Sequence, residues 1–579
     1  MCYVHYMKGA FRMKDRSPRY KAKIVTDLLQ MVRTGAELFE DKDIYIYQEQ
    51  KTEKHLSYRE NYERVLYFGT ALKSLGLLGK NVAVVGDTHP SYMTTFLSVI
   101  AGNGTVVPLD KDVQDDTLID FMNIAEVSAV VYTENFNNRL RNYKDRLPNV
   151  KYYIPIMDWS EDMTDESVIA FNALLKLGKE LYENDKSFSE IEPDLSHVAA
   201  ILFTSGTTGT SKGVMLTHKN FVAATNGSCQ TMDHFSDKNN FVDCLPMNHS
   251  YEITCGQLAI QNLGATMAIN DSVKNALRNF AKYKPNALML VPLYVETMHK
   301  KIWAEIGKKG MTKTVRNLMK ISNGLLKIGI DMRPKFFGQI TGAFGGQLKH
   351  IVVGGAPMSP NVINDMRSFG IYILEGYGIT ECSPLVAVNP YGREKLHSVG
   401  PAVACCEVRI DKSDDEETGE ILVKGDNVML GYYKNEEATK EVFTDDGYFR
   451  TGDIGYMDKD GYIYITGRKK NVIILSNGKN VFPEELEEHL SERSDVIGES
   501  VVIGRLNPDT KETAITAVIY PNPEFSEDKS KEEIEAAVKA AVTEVNKSLP
   551  VYKQMRDVEI RETEFEKTTT RKIKRFLVK

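Results

Sequence analysis

The sequence has no C-x-x-C pair; its seven cysteines are scattered at 2, 229, 244, 255, 382, 405 and 406. An odd, scattered set excludes a disulfide scaffold and fits a reduced, cytoplasmic setting. No apolar run reaches the length of a bilayer span, so no helix is expected to cross a membrane. Residues 1–23 are basic but lack an apolar core, so they do not read as a secretory signal. There is no internal repeat and no low-complexity tract, and tryptophan occurs only twice. Neither charge sign dominates: 72 basic against 79 acidic residues give a net charge of −7, which argues against nucleic acid as a partner.

What is present is a folded, multi-domain composition. The chain has 579 residues, 42% hydrophobic and 26% charged, too long for one core and too apolar for disorder. Apolar runs at 81–86, 129–132, 197–203, 287–291 and 350–354 alternate with helical patterns, which predicts α/β layering with mostly parallel strands. The style changes near Gly467. An Asp460-Gly461 turn precedes the strand-like 462–465, and beyond it the chain reads as a small α+β unit. Pro483 is placed to open a helix, and Ser530 with Glu533 forms a capping box. Ile534, Val538, Val542, Val545 and Leu549 share one face of the helix that follows. The expected domains are therefore 1–467, large, and 468–579, small.

The richest stretch is Thr204-Ser205-Gly206-Thr207-Thr208-Gly209-Thr210-Ser211-Lys212-Gly213. Its glycines let backbone N–H groups approach an anion, its hydroxyls add donors, and Lys212 adds a positive charge. A polyphosphate suits it. The spacing is not that of a Walker A loop, and a second short strand at 214–216 separates it from a helix capped by Thr217. A mobile loop between two strands is expected, with no helix dipole aimed at the phosphates.

Other motifs carry complementary chemistry. Glu375-Gly376-Tyr377-Gly378-Ile379-Thr380-Glu381 offers an aromatic ring, a hydroxyl and a hard oxygen ligand suited to Mg²⁺. Gly355-Ala356-Pro357 follows a strand, and Thr451-Gly452-Asp453 places a carboxylate that can accept from a diol. Leu245-Pro246-Met247-Asn248-His249-Ser250-Tyr251-Glu252 contains a lone histidine. Near the end lies Phe565-Glu566-Lys567-Thr568-Thr569-Thr570-Arg571-Lys572-Ile573.

From 202 to 572 these motifs resemble, in order, the signatures of the adenylate-forming superfamily: acyl-CoA synthetases, luciferases and peptide-synthetase adenylation domains. The resemblance implies a large multi-layer N-terminal domain with mostly parallel sheets and a small mobile α+β C-terminal domain. It implies that Thr204, Ser205, Gly206, Thr207, Thr208 and Lys212 grip the ATP phosphates. Gly355, Ala356, Pro357, Glu375, Gly376, Tyr377 and Gly378 would surround adenine, and Asp453 and Arg468 would hold ribose. Thr380, Glu381 and Lys572 are the implied catalytic residues, with Glu381 on Mg²⁺ and Lys470 at the hinge. Glu566 and Arg571 depart from the family's usual Pro and Gly, which puts the path of that loop in question. The His249 motif resembles the form found in long-chain fatty acyl-CoA synthetases, with His249 at the acyl pocket.

The implied activity is ATP-dependent ligation of a fatty acid to CoA through acyl-AMP. Loading of an acyl carrier protein, or another hydrophobic acid, stays open. A lysyl-adenylate motif and a basic duplex face, which a nucleic-acid ligase would need, are absent. Residues 299–338 carry ten Lys and Arg against Glu305 and Asp331, interleaved with Trp303, Phe336 and other apolar groups. That segment predicts weak contact with a membrane surface, its inner face for a cytoplasmic enzyme.

Overall fold

The computed structural model describes residues 24–133, 136, 139–140, 142–156, 165–204, 211–232, 234–414, 416–475, 480–493, 495–506, 513–567 and 573–578. Ser205, Gly206, Thr207, Thr208 and Lys572 lie outside them.

The first sheet has seven strands, with Thr105–Leu109 in the middle; Asn81–Val85 beside it pairs in parallel with it and with Ala129–Tyr132. Its central positions Val82 to Val85 are fully buried, as their unbroken apolar sequence requires of a parallel strand covered on both faces. Toward one edge, Val198–Thr204 pairs antiparallel with Lys212–Thr217, so the hydroxyl-rich segment joins the two arms of a hairpin. Thr217 then caps helix His218–Thr231 through a capping box with Asn220.

The second sheet has eight strands. Asn240–Asp243, Ala287–Leu290, His350–Val353 and Tyr372–Gly378 run in parallel side by side. Helix Pro90–Ala101 is buried around its whole circumference, which places it inside the molecule with protein on every side. A third, five-stranded sheet carries the antiparallel pair Phe449–Met457 and Tyr462–Arg468.

Beyond residue 470 a smaller core forms. Helix Pro483–Ser491 and helix Lys531–Lys547 pack Leu486, Leu490, Val538, Val542 and Val545 against strands Ile497–Leu506 and Thr513–Pro521. The Ser530–Glu533 capping box and the apolar face of the second helix are as the spacing predicts.

The basic 299–338 segment is helical. It forms the end of helix Pro292–Lys308, helix Thr312–Leu326 and the start of helix Arg333–Gly342, with Gly310 and Gly329 at the breaks and Gly307 and Gly324 inside helices. Most of its apolar groups face the core: Ile302, Ile306, Val315, Met319 and Phe337 are buried. Arg333 is buried as well, its guanidinium paired with Asp331 at 2.7 Å. The apolar groups that do reach solvent are Met311, Ile321, Ile328 and Ile330. No helix among the described residues is long and apolar enough to cross a membrane.

Candidate active site

One cavity of about 3500 Å³ gathers most of the residues singled out by sequence. Thr204, Lys212, His249, Gly355, Ala356, Pro357, Glu375, Gly376, Tyr377, Gly378, Thr380, Glu381, Asp453, Arg468 and Lys470 all line it. They arrive from all three large sheets and from the turn that leads into the small core.

The Thr451-Gly452-Asp453 stretch is held by a buried carboxylate. Glu420 accepts from the Gly452 amide at 3.2 Å and pairs with Lys469 at 2.9 Å and Arg450 at 3.2 Å. Thr451 Oγ1 donates to the Ile421 carbonyl and accepts from the Asp453 amide at 3.0 Å. Asp453, 2% exposed, then receives the Tyr377 hydroxyl at 2.6 Å and the Arg468 Nε at 2.8 Å. Asp453 and Arg468 are cross-strand partners, so sheet register brings them together. The Tyr377 ring is thereby fixed at its hydroxyl end on the cavity wall.

Two glycines are required by geometry. Gly355 has φ +92, a conformation that L side chains avoid. A Cβ on Gly378 would lie 2.4 Å from the Pro384 carbonyl oxygen.

Lys212, at the root of the hydroxyl-rich segment, sits 4.6 Å from the centroid of the Tyr432 ring. Tyr432 donates its hydroxyl to Glu381 Oε1 at 3.0 Å. The short strand Gly431–Tyr432 pairs with Val214 and Met215, so Tyr432 ties the Val198–Thr204/Lys212–Thr217 hairpin to the Thr380-Glu381 turn. Burial and Glu381 together push the Tyr432 hydroxyl well above the ordinary phenol range, so it stays a donor. Sequence reasoning missed Tyr432; the Gly431-Tyr432-Tyr433 run was the only local signal. Glu381 is a hard oxygen donor on the cavity wall and fits Mg²⁺ by chemistry. Among the described residues no cluster of three or more His, Cys, Asp or Glu could hold a metal by itself, so the remaining ligands would come from substrate and water.

His249 is half-buried, its carbonyl accepting from the Ile253 amide as a π-helical segment, Glu252–Leu258, begins. Such segments recur at functional sites. Glu252 is buried beside Asp243, and Gln257 bridges them, donating to Glu252 at 2.6 Å and to Asp243 at 3.4 Å. Burial raises Asp243 to about 7 and drives Glu252 well above the carboxylate range. Burial also raises Glu375 to about 7, helped by Glu488 of the small core.

These raised carboxyls bind protons in the folded state that the unfolded chain would release. For Asp243 and Glu375 the stabilising contribution is full below about pH 4 and is lost as pH rises through about 7. Between about pH 6 and 8 ordinary carboxylates no longer titrate, so the share of Asp243 and Glu375 is a fall in the urea midpoint with rising pH, set against an opposite share from the buried neutral His89, His218 and His350. Asp243→Asn should flatten that fall. Parallel slopes for the two proteins in matched buffers would disprove it.

Residues 32–433 match the family described as AMP-binding enzyme, and residues 470–578 match the AMP-binding enzyme C-terminal domain. The chain belongs to this family of adenylate-forming enzymes. It is similar to long-chain-fatty-acid–CoA ligase 5 of Rattus norvegicus, 25% identical over 89% of this chain and 78% of that protein. It is also similar to a long-chain-fatty-acid–CoA ligase of Mycobacterium bovis, 31% identical over 66% of this chain and 67% of that one. In fold it resembles the anthranilate CoA ligase AuaEII in complex with anthranoyl-AMP, with a TM-score of 0.74, 17% identity and 96% of each chain covered. Another match is o-succinylbenzoate CoA synthetase from Bacillus subtilis with ATP and magnesium, with a TM-score of 0.70, 19% identity and 95% and 98% of the chains covered.

Proposed function

We propose that this chain is an ATP-dependent, AMP-forming ligase that activates a long-chain fatty acid and passes the acyl group to CoA. The observation that carries the substrate class is the composition of the cavity near His249. Leu245, Tyr251, Cys255, Leu277, Phe280 and Met298 add apolar wall to the same cavity that the nucleotide-side residues line. The long-chain CoA ligases named above support the same class.

The reaction follows from the placement of charge. The fatty carboxylate oxygen attacks the α-phosphorus of ATP, pyrophosphate leaves, and acyl-AMP forms. The CoA thiol, losing its proton, then attacks the acyl carbonyl, and AMP leaves. Asp453 and Arg468 would fix the ribose, Tyr377 would cover adenine, and Lys212 with the hydroxyl-rich segment would hold the outgoing phosphates. Lys572 would stabilise charge growing on the α-phosphate. Glu381 would hold Mg²⁺, which neutralises phosphate charge when bound. Lys470 lies where the small domain would turn between the two half-reactions.

The direct test is thioester formation with free fatty acids of graded length, offering CoA and a purified acyl carrier protein in parallel. Thioester on CoA, rising with chain length, is expected. Product only on the carrier protein, or only with short or aromatic acids, would replace the proposed substrate.

A cytoplasmic enzyme working on fatty acids gains from contact with the inner membrane surface, and one face of helix Thr312–Leu326 suits that role. Val315, Met319 and Ser322 point inward, while Lys313, Lys320 and Ile321 are exposed on the other side and continue into exposed Lys327, Ile328 and Ile330. No acidic residue lies in that helix. Basic and apolar groups on one face suit anionic lipid. Leu293 and Thr297 of the neighbouring helix Pro292–Lys308 line the cavity. We expect sedimentation with anionic vesicles at low salt and release at high salt, weakened in Lys320→Glu/Lys327→Glu. Failure to pellet with anionic vesicles at low salt would remove the membrane contact.

A further inference from the structure

In the third sheet, strand Phe449–Met457 carries more chain than its partner Gly419–Gly425. Glu420 pairs with Ile454 and Leu422 with Arg450, so Thr451, Gly452 and Asp453 bulge out opposite the single residue Ile421. Gly452 takes φ +72 in the middle of that bulge, off the ladder that would otherwise supply its amide with an acceptor. Glu420 Oε1 supplies one at 3.2 Å. Together with the Thr451 hydroxyl on the Ile421 carbonyl at 2.7 Å, this contact fixes the bulge from which Asp453 lines the cavity.

The other oxygen of the same carboxylate has different partners. Glu420 Oε2 accepts from Lys469 at 2.9 Å and from Arg450 at 3.2 Å. Lys469 opens the short turn Lys469–Asn471, which contains Lys470, the proposed hinge. At the far end of that turn, Asn471 Nδ2 donates to Glu484 of helix Pro483–Ser491 at 2.5 Å. The turn is thus held at one end by a carboxylate of the large domain and at the other by the small core. Glu420, Gly452, Asp453 and Lys469 all line the cavity. The Glu420 side chain is 7% exposed, so its charge acts in a poorly solvated place. Its cations are not trapped with it: Lys469 is 60% exposed, and Arg450 has a second partner in Asp411 at 3.3 Å. Neutralising Glu420 therefore leaves no buried charge unpaired, and the variant should fold.

We propose that Glu420 is a positioning residue shared by the ribose side of the site and the hinge. One oxygen sets the Gly452 amide beside Asp453, and the other holds Lys469 at the pivot. Nucleotide recognition and the turning of the small core are thereby coupled through one carboxylate. A turn that draws Lys469 away changes the charge balance on the group that orders the ribose-side bulge. This coupling rests on the readings of Asp453 and Lys470 given above.

The test uses the full-length protein and reads the half-reactions separately. Pyrophosphate release with palmitate and either ATP or 2′-deoxy-ATP reads the first. Thioester formation from supplied palmitoyl-AMP and CoA reads the second. Glu420→Gln keeps the shape and loses the charge. It is expected to raise KM for ATP roughly tenfold and to narrow the preference for ATP over 2′-deoxy-ATP. Lys469→Met should leave KM for ATP within about twofold and shift the ratio of the two half-reaction rates by up to about fivefold. Lys469→Arg, which keeps the cation, should restore that ratio. In the Glu420→Gln background, Lys469→Met should add nothing to the shift. Thermal melts show that each variant is folded. Additive effects of the two substitutions on the ratio would overturn the coupling. Equal loss in both half-reactions of Glu420→Gln, with KM for ATP unchanged, would reduce the carboxylate to scaffolding and overturn it as well. Lost nucleotide preference in Asp453→Asn but not in Glu420→Gln would remove the coupling and leave the ribose reading standing. Intact preference in Asp453→Asn would overturn both.

Discussion

Lys572→Ala is expected to lower acyl-adenylate formation by roughly 10²–10³-fold, the range seen when a positioned group that stabilises developing charge is removed. The substitution deletes a cation that would meet the α-phosphate only as negative charge builds there. It should leave the second half-reaction close to normal, because attack of a thiol on ready-made acyl-AMP does not need that cation. Pyrophosphate release and thioester formation from supplied acyl-AMP, measured separately, give the answer. Near-normal pyrophosphate release by the variant would sink the assignment.

Asp453→Asn should have the next largest effect. Asp453 accepts from Tyr377 and Arg468 while lining the cavity, so it has the character of a charged acceptor already oriented for a diol. Hydrogen bonds to a charged group contribute about 1.5–3 kcal/mol each. Losing that charge should reduce kcat/KM for ATP by roughly ten- to a hundredfold. The nucleotide 2′-deoxy-ATP offers a sharper readout. The native enzyme is expected to prefer ATP over it, and the variant should lose most of that preference. Unaltered discrimination in Asp453→Asn would show that the carboxylate does not hold the ribose.

Local patterns made much of this legible in advance. The Thr217 cap, the Ser530–Glu533 box, the buried strands and the hairpin around the hydroxyl-rich segment all depend on neighbours a few residues away. Relations across long sequence distance were not legible. Tyr432 reaches Glu381 because a two-residue strand pairs with strand Lys212–Thr217. Glu420 orders the Asp453 turn through sheet pairing between distant strands. In residues 299–338 the composition was clear but its direction was not. Helical spacing shows that apolar groups share a face, yet tertiary packing decides which face is inside. Hence Trp303 and Phe337 turn toward the core while Ile321 and Ile328 turn out. The π-helical turn after His249 leaves no ordinary periodic signature either.

Tyr432 stands between a lysine and a glutamate that would otherwise be natural partners. Its ring face satisfies Lys212 and its hydroxyl satisfies Glu381, so neither neutralises the other. The tyrosine works as a spacer between opposite poles. In the proposed mechanism it would leave a cation for phosphate and an anion for metal, where direct pairing would cancel both. Shortening that spacer to phenylalanine would keep the separation by bulk and lose the tether on Glu381. Shortening it further to alanine would let the two charges collapse onto each other, and the site would be silenced by its own salt bridge.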